Sequence, residues 1–191
     1  IGGFSLGLER TGGFETAAFC EISPEANRVI RKNWPYVENL QDIRSLEAEQ
    51  VTSIGTIDVI TLGFPCQDIS LAGPGSGLSG QRSSLFWQGM RTIRLVRPAI
   101  VILENVAALL GRGMGSVLGA LAKEGYDTEW DCIRAVDAGR PHKRDRLYIT
   151  AYAKGDGRGP GRQGGLVNGL KGLPVEPCWT GNPIDFFEEG F

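Results

Sequence analysis

Residues 57–67 are IDVITLGFPCQ, an apolar run that ends at a glycine and is followed directly by Phe64, Pro65 and Cys66. A short β-branched run bounded by glycine is typical of a strand that is buried on both faces, as in parallel sheets. Ligands of open α/β sheets bind beyond the carboxyl ends of the strands. We therefore expect Cys66 on a loop at a functional site, although a cysteine is often only a small buried apolar residue.

A second apolar run, residues 99–103 (AIVIL), is followed by Glu104 in the same way. If the two strands are neighbours, Cys66 and Glu104 lie at the same edge of the sheet. A thiolate beside a carboxyl proton donor is a pairing used in covalent catalysis. Glu104 taken alone is better explained as a solvated carboxylate at a strand end, so the hypothesis depends on the pair.

Strand patterns and helix patterns alternate along the first 153 residues, which predicts an α/β fold with a mostly parallel sheet and helices on both faces. The predicted strands are 14–20, 57–62, 99–103, 130–136 and 147–153. The predicted helices are 5–10, a helix from the Ser23 cap to Trp34, 84–97, and one from Met114 that Gly125 ends. We expect residues 1–153 to form one catalytic domain and 154–191 a glycine-rich basic linker with an irregular tail.

Three further features predict a nucleotide-like ligand. The glycine turn at Gly2 and Gly3 precedes a short helix, and Glu21 stands about 20 residues further on, where folds of this kind bind ribose hydroxyls. Asp42 is placed to face the base of the same nucleoside, but a simple turn acid explains it equally well.

A basic stretch precedes the last predicted strand. Residues 139–172 hold eight Lys/Arg against two Asp/Glu, which indicates either a phosphate-contacting surface or a solvated loop. Arg144 and Arg146 alternate on an extended segment and therefore point the same way, toward an anionic or carbonyl group.

Composition excludes several classes of protein. The 191 residues carry a net charge of −2, and no run approaches the roughly 18 apolar residues of a membrane span. The start lacks the pattern of a signal peptide, so we expect reduced cysteines and a cytoplasm-like compartment. The four cysteines form no C-x-x-C pair, which argues against a zinc cluster. His142 is the one histidine, so a Cys-His or Ser-His hydrolase would need that residue.

Together these segments resemble the DNA cytosine-5 methyltransferase family over about residues 1–150. The matching segments, in order, are IGGFSLGLE (1–9), Glu21, Asp42, GFPCQDIS (63–70), ENV (104–106) and GRPHKRDRLYI (139–149). His142 stands where the family usually has glutamine. The combination of GFPCQ, ENV and R-x-R before a strand is highly specific, whereas each motif alone is weak.

The resemblance implies a Rossmann-like fold, S-adenosylmethionine as cofactor, no metal, and double-stranded DNA as partner. Cys66 is implied to attack carbon 6 of a flipped-out cytosine, with Glu104 at ring N3 and Arg146 and Arg144 holding the base carbonyl and the loop. Asn105 and Pro65 are expected to shape the pocket. The implied cofactor-binding residues are Ile1, Gly2, Gly3, Phe4, Glu21, Ile22, Asp42, Ile43, Gly63, Pro65 and Leu85. The implied DNA-binding residues are Gln67, Gln81, Arg82 and Ser83.

The sequence also departs from the family pattern. The family has a strand and an acidic-aromatic-glycine segment before IGGF, and a late glycine-asparagine-alanine-valine motif, and neither is found here. We therefore expect a fragment, a truncated gene product or half of a split enzyme, which alone binds cofactor poorly and has little activity. The glycine-rich basic linker in residues 154–191 is then expected to lead into either the start of a target-recognition region or an irregular tail. As an enzyme it is expected to be a cytoplasmic monomer of a prokaryotic or phage-infected cell, or to need a complementing second chain, and to belong to a restriction-modification system.

Two other functions are considered. The tRNA-directed branch of the family carries Cys-Phe-Thr after its ENV-like segment, whereas Ala107-Ala108-Leu109 stands here. A non-catalytic remnant that binds DNA or a partner subunit is the other alternative. The intact Cys66, Glu104 and Arg146 argue against it, whereas the missing end motifs argue for it.

Overall fold

A computed structural model of the protein describes residues 1–65, 84–141 and 143–155. Helices and strands alternate along these ranges. The strands are β1 (Ala18–Phe19), β2 (Glu38–Asn39), β3 (Val59–Gly63), β4 (Ile100–Val106), β5 (Tyr126–Arg134) and β6 (Asp145–Ala153). The helices are α1 (Gly3–Glu9), α2 (Pro24–Asn33), α3 (Ala48–Ile54), α4 (Ser84–Val96), α5 (Leu109–Arg112) and α6 (Met114–Lys123), with a 3-10 helix at Ile43–Ser45.

The described strands form two sheets. β1 and β2 pair in parallel, and the second sheet has the order β3-β4-β6-β5. β3 and β4 are parallel, whereas β6 is antiparallel to both β4 and β5. A mostly parallel sheet was expected, but this sheet is mixed: one of its three strand pairings is parallel and two are antiparallel, because β6 runs against the other three strands.

The reversal of β6 has a local cause. Residues 135–144 join β5 to β6 without a helix, and a connection between parallel strands needs a crossover, usually a helical one. Ala135 donates its N–H to the Arg144 carbonyl at 3.1 Å, which closes this connection as a hairpin. β5 and β6 are consequently an antiparallel pair.

The hydrophobic core lies between the four-stranded sheet and helices α4 and α6. Its members alternate along each strand and recur at helical spacing along each helix. They include Phe86, Met90, Ile93, Val101, Leu103, Val117, Leu121, Leu147 and Ile149. On the opposite face of the sheet, Phe4 of α1 contacts Tyr148 of β6 edge to face, with ring centroids 6.1 Å apart.

The helix α2 begins as predicted. Ser23 is the N-cap, its hydroxyl accepts the Ala26 N–H at 3.3 Å, and Pro24 occupies the first turn. Ala26, Asn27 and Ile30 form its buried face. Other bounds differ from prediction, since the strand expected at 14–20 is only Ala18–Phe19 and β5 begins at Tyr126 rather than at 130.

No helix in the described ranges is both long enough and apolar enough to cross a membrane.

Candidate active site at the carboxyl ends of strands β3 and β4

An ion pair between Glu104 and Arg146 forms the centre of the candidate site. Arg146 Nε lies 2.7 Å from Glu104 Oε1, and the side chains of Arg146 and Glu104 are 23% and 28% exposed respectively. Arg146 also donates from Nη1 to the Asp145 carbonyl at 2.8 Å. This geometry holds the Glu104 carboxylate in a fixed direction while a quarter of its surface remains open to a ligand.

The pair results from the register of β4 and β6. Glu104 is opposite Tyr148 and Val106 is opposite Arg146, so the two charged residues are diagonal neighbours on one face of the sheet. Both lie inside their strands, whereas the sequence pattern placed Glu104 after a strand ending at Leu103. β4 extends to Val106 because β6 pairs with it over its whole length.

Gly63, the last residue of β3, is the register partner of Glu104. A Cβ at Gly63 would lie 3.3 Å from Glu104 Oε2, so a side chain here would crowd the carboxylate. Phe64 and Pro65 follow Gly63 in the chain. Cys66 lies outside the described residues, and only its separation from Gly63 along the chain is fixed.

Asn105 anchors the segment that leads to Cys66. Its side chain is 4% exposed, and its Nδ2 donates to the Phe64 carbonyl at 2.8 Å, while its Oδ1 accepts the Val106 N–H at 2.8 Å. Both polar atoms of a buried amide are thereby satisfied. The Phe64 ring packs against Phe86 of α4, with centroids 5.0 Å apart. Asn105 therefore fixes the backbone two residues before Cys66.

Tyr148 is a member of the site that the sequence pattern did not indicate. Burial and then the negative charge of Glu104 raise the pKa of its hydroxyl, whereas Arg146 and Arg144 oppose the rise. The charge of Arg144 therefore also acts on the Tyr148 hydroxyl, although the Arg144 side chain is exposed. Tyr148 lies within an apolar strand pattern in which aromatic residues are common, so no local signal distinguishes it from a core residue.

The predicted glycine turn is present at the start of α1. Gly2 has a φ of 65° and a Cβ there would lie 2.6 Å from the Trp34 ring, so only glycine fits both the backbone and the contact. Gly3 has open space where a Cβ would stand. Trp34 also donates from Nε1 to Glu9 at 2.9 Å and packs against Phe19, which ties α1 to the sheet of β1 and β2.

Glu21 follows β1 and is held by neighbouring groups. Its backbone N–H donates to Asn39 Oδ1 at 3.0 Å, and its carbonyl accepts from the Asn27 and Asn39 amides, each at 3.0 Å. One carboxylate oxygen accepts the Ser23 N–H at 2.8 Å. Asn39 was not predicted as a member of the site. It belongs to the two-residue strand β2, and its contacts with Glu21 depend entirely on the pairing of β2 with β1.

Asp42 lies at the matching end of β2 and is engaged locally. Its carboxylate caps the 3-10 helix through the Arg44 N–H and pairs with the Arg44 guanidinium at 2.7 Å. These hydrogen bonds lower the pKa of the Asp42 carboxyl. Between the two acids, desolvation and the charges of Asp42 and Glu21 raise the pKa of the Cys20 thiol to about 11, so it is not a reactive thiolate.

The remaining predicted residues divide into two sets. Ile1 and Ile22 are exposed, Ile43 and Leu85 are half-buried, and Pro65 is exposed beside Gly63. The predicted DNA-binding residues Gln67, Gln81, Arg82 and Ser83 lie outside the described residues. Within the described ranges, no group of three His, Cys, Asp or Glu side chains is placed to hold a metal ion.

Solved structures that resemble this protein identify its fold. DNMT2 of Spodoptera frugiperda, in a mutant form, matches with a TM-score of 0.69 and 22% identity, covering 85% of this chain and 50% of that one. The Dnmt2 methyltransferase of S. pombe matches with a TM-score of 0.63 and 18% identity, covering 86% and 50%. The fold is therefore the Rossmann-like fold of S-adenosylmethionine-dependent methyltransferases.

Residues 1–161 match the family described as C-5 cytosine-specific DNA methylase, and the chain belongs to that family. Among its relatives, the type II methyltransferase M.Bsp6I of Bacillus sp. (strain RFL6) is 34% identical over 158 residues, which is 80% of this chain and 49% of the relative. The type II methyltransferase M2.BsuMI of Bacillus subtilis (strain 168) is 33% identical over 159 residues, covering 79% and 39%. The chain thus spans half or less of the length of these relatives.

Proposed function

We propose that this chain carries the catalytic part of a DNA cytosine-5 methyltransferase, which transfers a methyl group from S-adenosylmethionine to cytosine through Cys66. The observation that supports this most is the Glu104–Arg146 ion pair, held opposite Gly63 at the end of β3. It provides an oriented carboxyl group beside Gly63, and Gly63 lies three residues before Cys66 in the sequence. The similarity to type II methyltransferases supports DNA as the substrate.

The residues present fit S-adenosylmethionine. The left-handed Gly2 and the unobstructed Gly3 allow a ligand to approach the backbone at the start of α1. Glu21, at the end of β1, has one carboxylate oxygen that accepts the Ser23 N–H, and a carboxylate has further lone pairs for ribose hydroxyls. Asp42 and Ile43 follow β2 and are proposed to contact the adenine side. When bound, the cofactor supplies an electrophilic methyl group on a sulfonium.

Replacing Glu21 by alanine is expected to weaken S-adenosylmethionine binding by about 1.5–3 kcal/mol, because hydrogen bonds to a charged acceptor are lost. DNA affinity should change little. Isothermal titration with the cofactor and a DNA-binding assay measure the two effects separately.

The matched control is Glu25→Ala in the first turn of α2, whose exposed carboxylate lies 3.6 Å from the Arg28 guanidinium and accepts the Ser23 hydroxyl at 3.1 Å. It should leave cofactor affinity unchanged. An unchanged cofactor affinity in Glu21→Ala, together with lost DNA affinity, would contradict the proposed position of the cofactor.

Cytosine carbon 5 is a poor nucleophile, and the proposed attack by Cys66 makes it reactive toward a methyl donor. The Cys66 thiolate adds to carbon 6, forming an S–C bond and moving an electron pair toward carbon 5 while Glu104 donates a hydrogen bond or proton at ring N3. Carbon 5 then carries the negative charge needed to accept the methyl group that the bound cofactor would supply. Loss of the carbon 5 proton to a base and expulsion of the Cys66 thiolate restore the aromatic ring.

Arg146 has two roles in this proposal. Its ion pair orients Glu104, and its remaining N–H groups are proposed to donate hydrogen bonds to the base carbonyl. Arg144 adds positive charge at the same edge of the sheet. Because carbon 5 and carbon 6 are stacked inside a duplex, the target base must leave the helix, and Gln67, Gln81, Arg82 and Ser83 are proposed to contact the DNA around it.

The proposal predicts the chemical identity of the product. Full-length protein incubated with labelled S-adenosylmethionine and long duplex DNA should yield 5-methyl-2′-deoxycytidine after digestion to nucleosides. A parallel reaction with bulk tRNA should remain unlabelled. Label in an exocyclic amino group, or label in tRNA alone, would contradict the proposal, and DNA binding without label in either nucleic acid would favour a non-catalytic role.

A further inference from the structure

The side chain of Arg91 connects two parts of the molecule that are distant in sequence. It lies in the middle of α4 and is half-buried. Its Nη1 donates to the Leu46 carbonyl at 2.8 Å and its Nη2 donates to the Ile43 carbonyl at 2.9 Å. The two acceptors are the first residue of the 3-10 helix and the residue that follows that helix.

The Arg91 guanidinium is itself fixed in orientation. Its Nε donates to Gln88 Oε1 at 2.8 Å, one turn earlier on α4. All three guanidinium nitrogens therefore have an acceptor, and the two terminal nitrogens of the planar group both face the segment Ile43–Leu46. Lysine, with a single ammonium, cannot reproduce this planar arrangement at two carbonyls.

The loop held by Arg91 is the one that carries Asp42. Asp42 caps the 3-10 helix from its start, and Arg91 holds that helix at its first residue and just beyond its last. The two sheets are separate in the described residues, so the β1–β2 side needs connections of this kind to the α4 side. The two hydrogen bonds from Arg91 thus hold the segment Asp42–Leu46 against α4.

We propose that Arg91 is a positioning residue for the cofactor, which acts through the backbone of Asp42 and Ile43. This inference rests on the proposed function, because it assigns those two residues to the adenine side of S-adenosylmethionine. Arg91 itself touches neither cofactor nor DNA in this proposal. Its loss should therefore change cofactor affinity and leave the chemical step intact.

The test measures affinity and turnover separately in full-length protein. Arg91→Met should raise the Kd and KM for S-adenosylmethionine about tenfold, the effect of losing two hydrogen bonds from a charged donor, with kcat at saturating cofactor within about twofold. Arg91→Lys should recover part of the affinity. Arg94→Met on the same helix is the control, since its 67% exposed side chain pairs with Glu124 elsewhere and should leave KM unchanged.

A double mutant tests whether Arg91 affects cofactor affinity through the loop that carries Asp42. If Arg91 acts through the loop, Arg91→Met should cost clearly less affinity in an Asp42→Ala background than in wild type. Additive losses, an unchanged Kd in Arg91→Met, or a fall in kcat at constant KM would each overturn the inference. If the wild-type protein bound no S-adenosylmethionine, the proposed function and this inference would both fail, whereas wild-type binding with a normal Kd in Arg91→Met would refute the inference alone.

Discussion

Replacing Cys66 by serine is expected to abolish methyl transfer, with a fall in rate of at least about 1,000-fold. The reaction needs a soft nucleophile that is ionised near neutral pH, and a serine hydroxyl at the same position remains protonated. Cofactor affinity should stay close to wild type, because the thiol is not among the proposed cofactor contacts. Incorporation of a tritiated methyl group into DNA measures the loss.

The control for this exchange is Cys178→Ser. It makes the same atomic change outside residues 1–161, the span that matches the family, and should retain full activity. Wild-type turnover in Cys66→Ser would exclude the covalent mechanism. Loss of activity in Cys178→Ser as well would show that serine substitution damages this protein for another reason.

Glu104→Gln is expected to reduce kcat by about 100-fold or more, the usual contribution of a positioned acid or base. The amide keeps the size of the side chain but removes the charge and the proton that the ring N3 requires. Cofactor affinity and thermal stability should change much less than turnover, because a partly exposed ion pair contributes little to folding. Single-turnover kinetics at saturating cofactor and DNA isolate the chemical step.

Glu124→Gln provides a matched control. Glu124 also pairs with arginine, through contacts to Arg94 and Arg97, but it lies at the other end of β4, where the strand begins. Its replacement should lower the unfolding midpoint without lowering kcat. Equal losses of kcat in Glu104→Gln and Glu124→Gln would indicate that the site carboxylate is structural.

Much of the candidate site follows from local sequence signals. The run IDVITL ends as a strand directly before Phe64, and AIVIL predicts β4, so the adjacency of Gly63 and Glu104 follows once these strands are parallel neighbours. The alternation of Arg144 and Arg146 predicted that both point toward an anionic or carbonyl group, and Arg146 forms an ion pair with the Glu104 carboxylate.

Other features depend on contacts that no local pattern records. β2 is two polar residues that become a strand only through pairing with β1. α3 was not predicted because Val51 is its one buried residue, so it has no apolar stripe. Arg91 reaches carbonyls 45 and 48 residues away in sequence, and a backbone acceptor has no side-chain signature.

The direction of β6 could not be obtained from its apolar alternation, since a strand pattern is the same in both directions. The informative signal was the connection before it, where residues 135–144 lack helical periodicity and therefore favour an antiparallel hairpin. That direction matters for function, because it brings the start of β6, with Arg146, beside the carboxyl end of β4.

The most direct test of the central claim is a covalent trap. In duplex DNA with 5-fluorocytosine in place of every cytosine, methylation leaves no proton on carbon 5, so the Cys66 thiolate cannot be expelled. Full-length protein with S-adenosylmethionine and this DNA should form a complex that survives denaturation, with peptide mass spectrometry placing the nucleotide on Cys66. Methylated DNA without a trapped complex, or an adduct on another residue, would contradict the account.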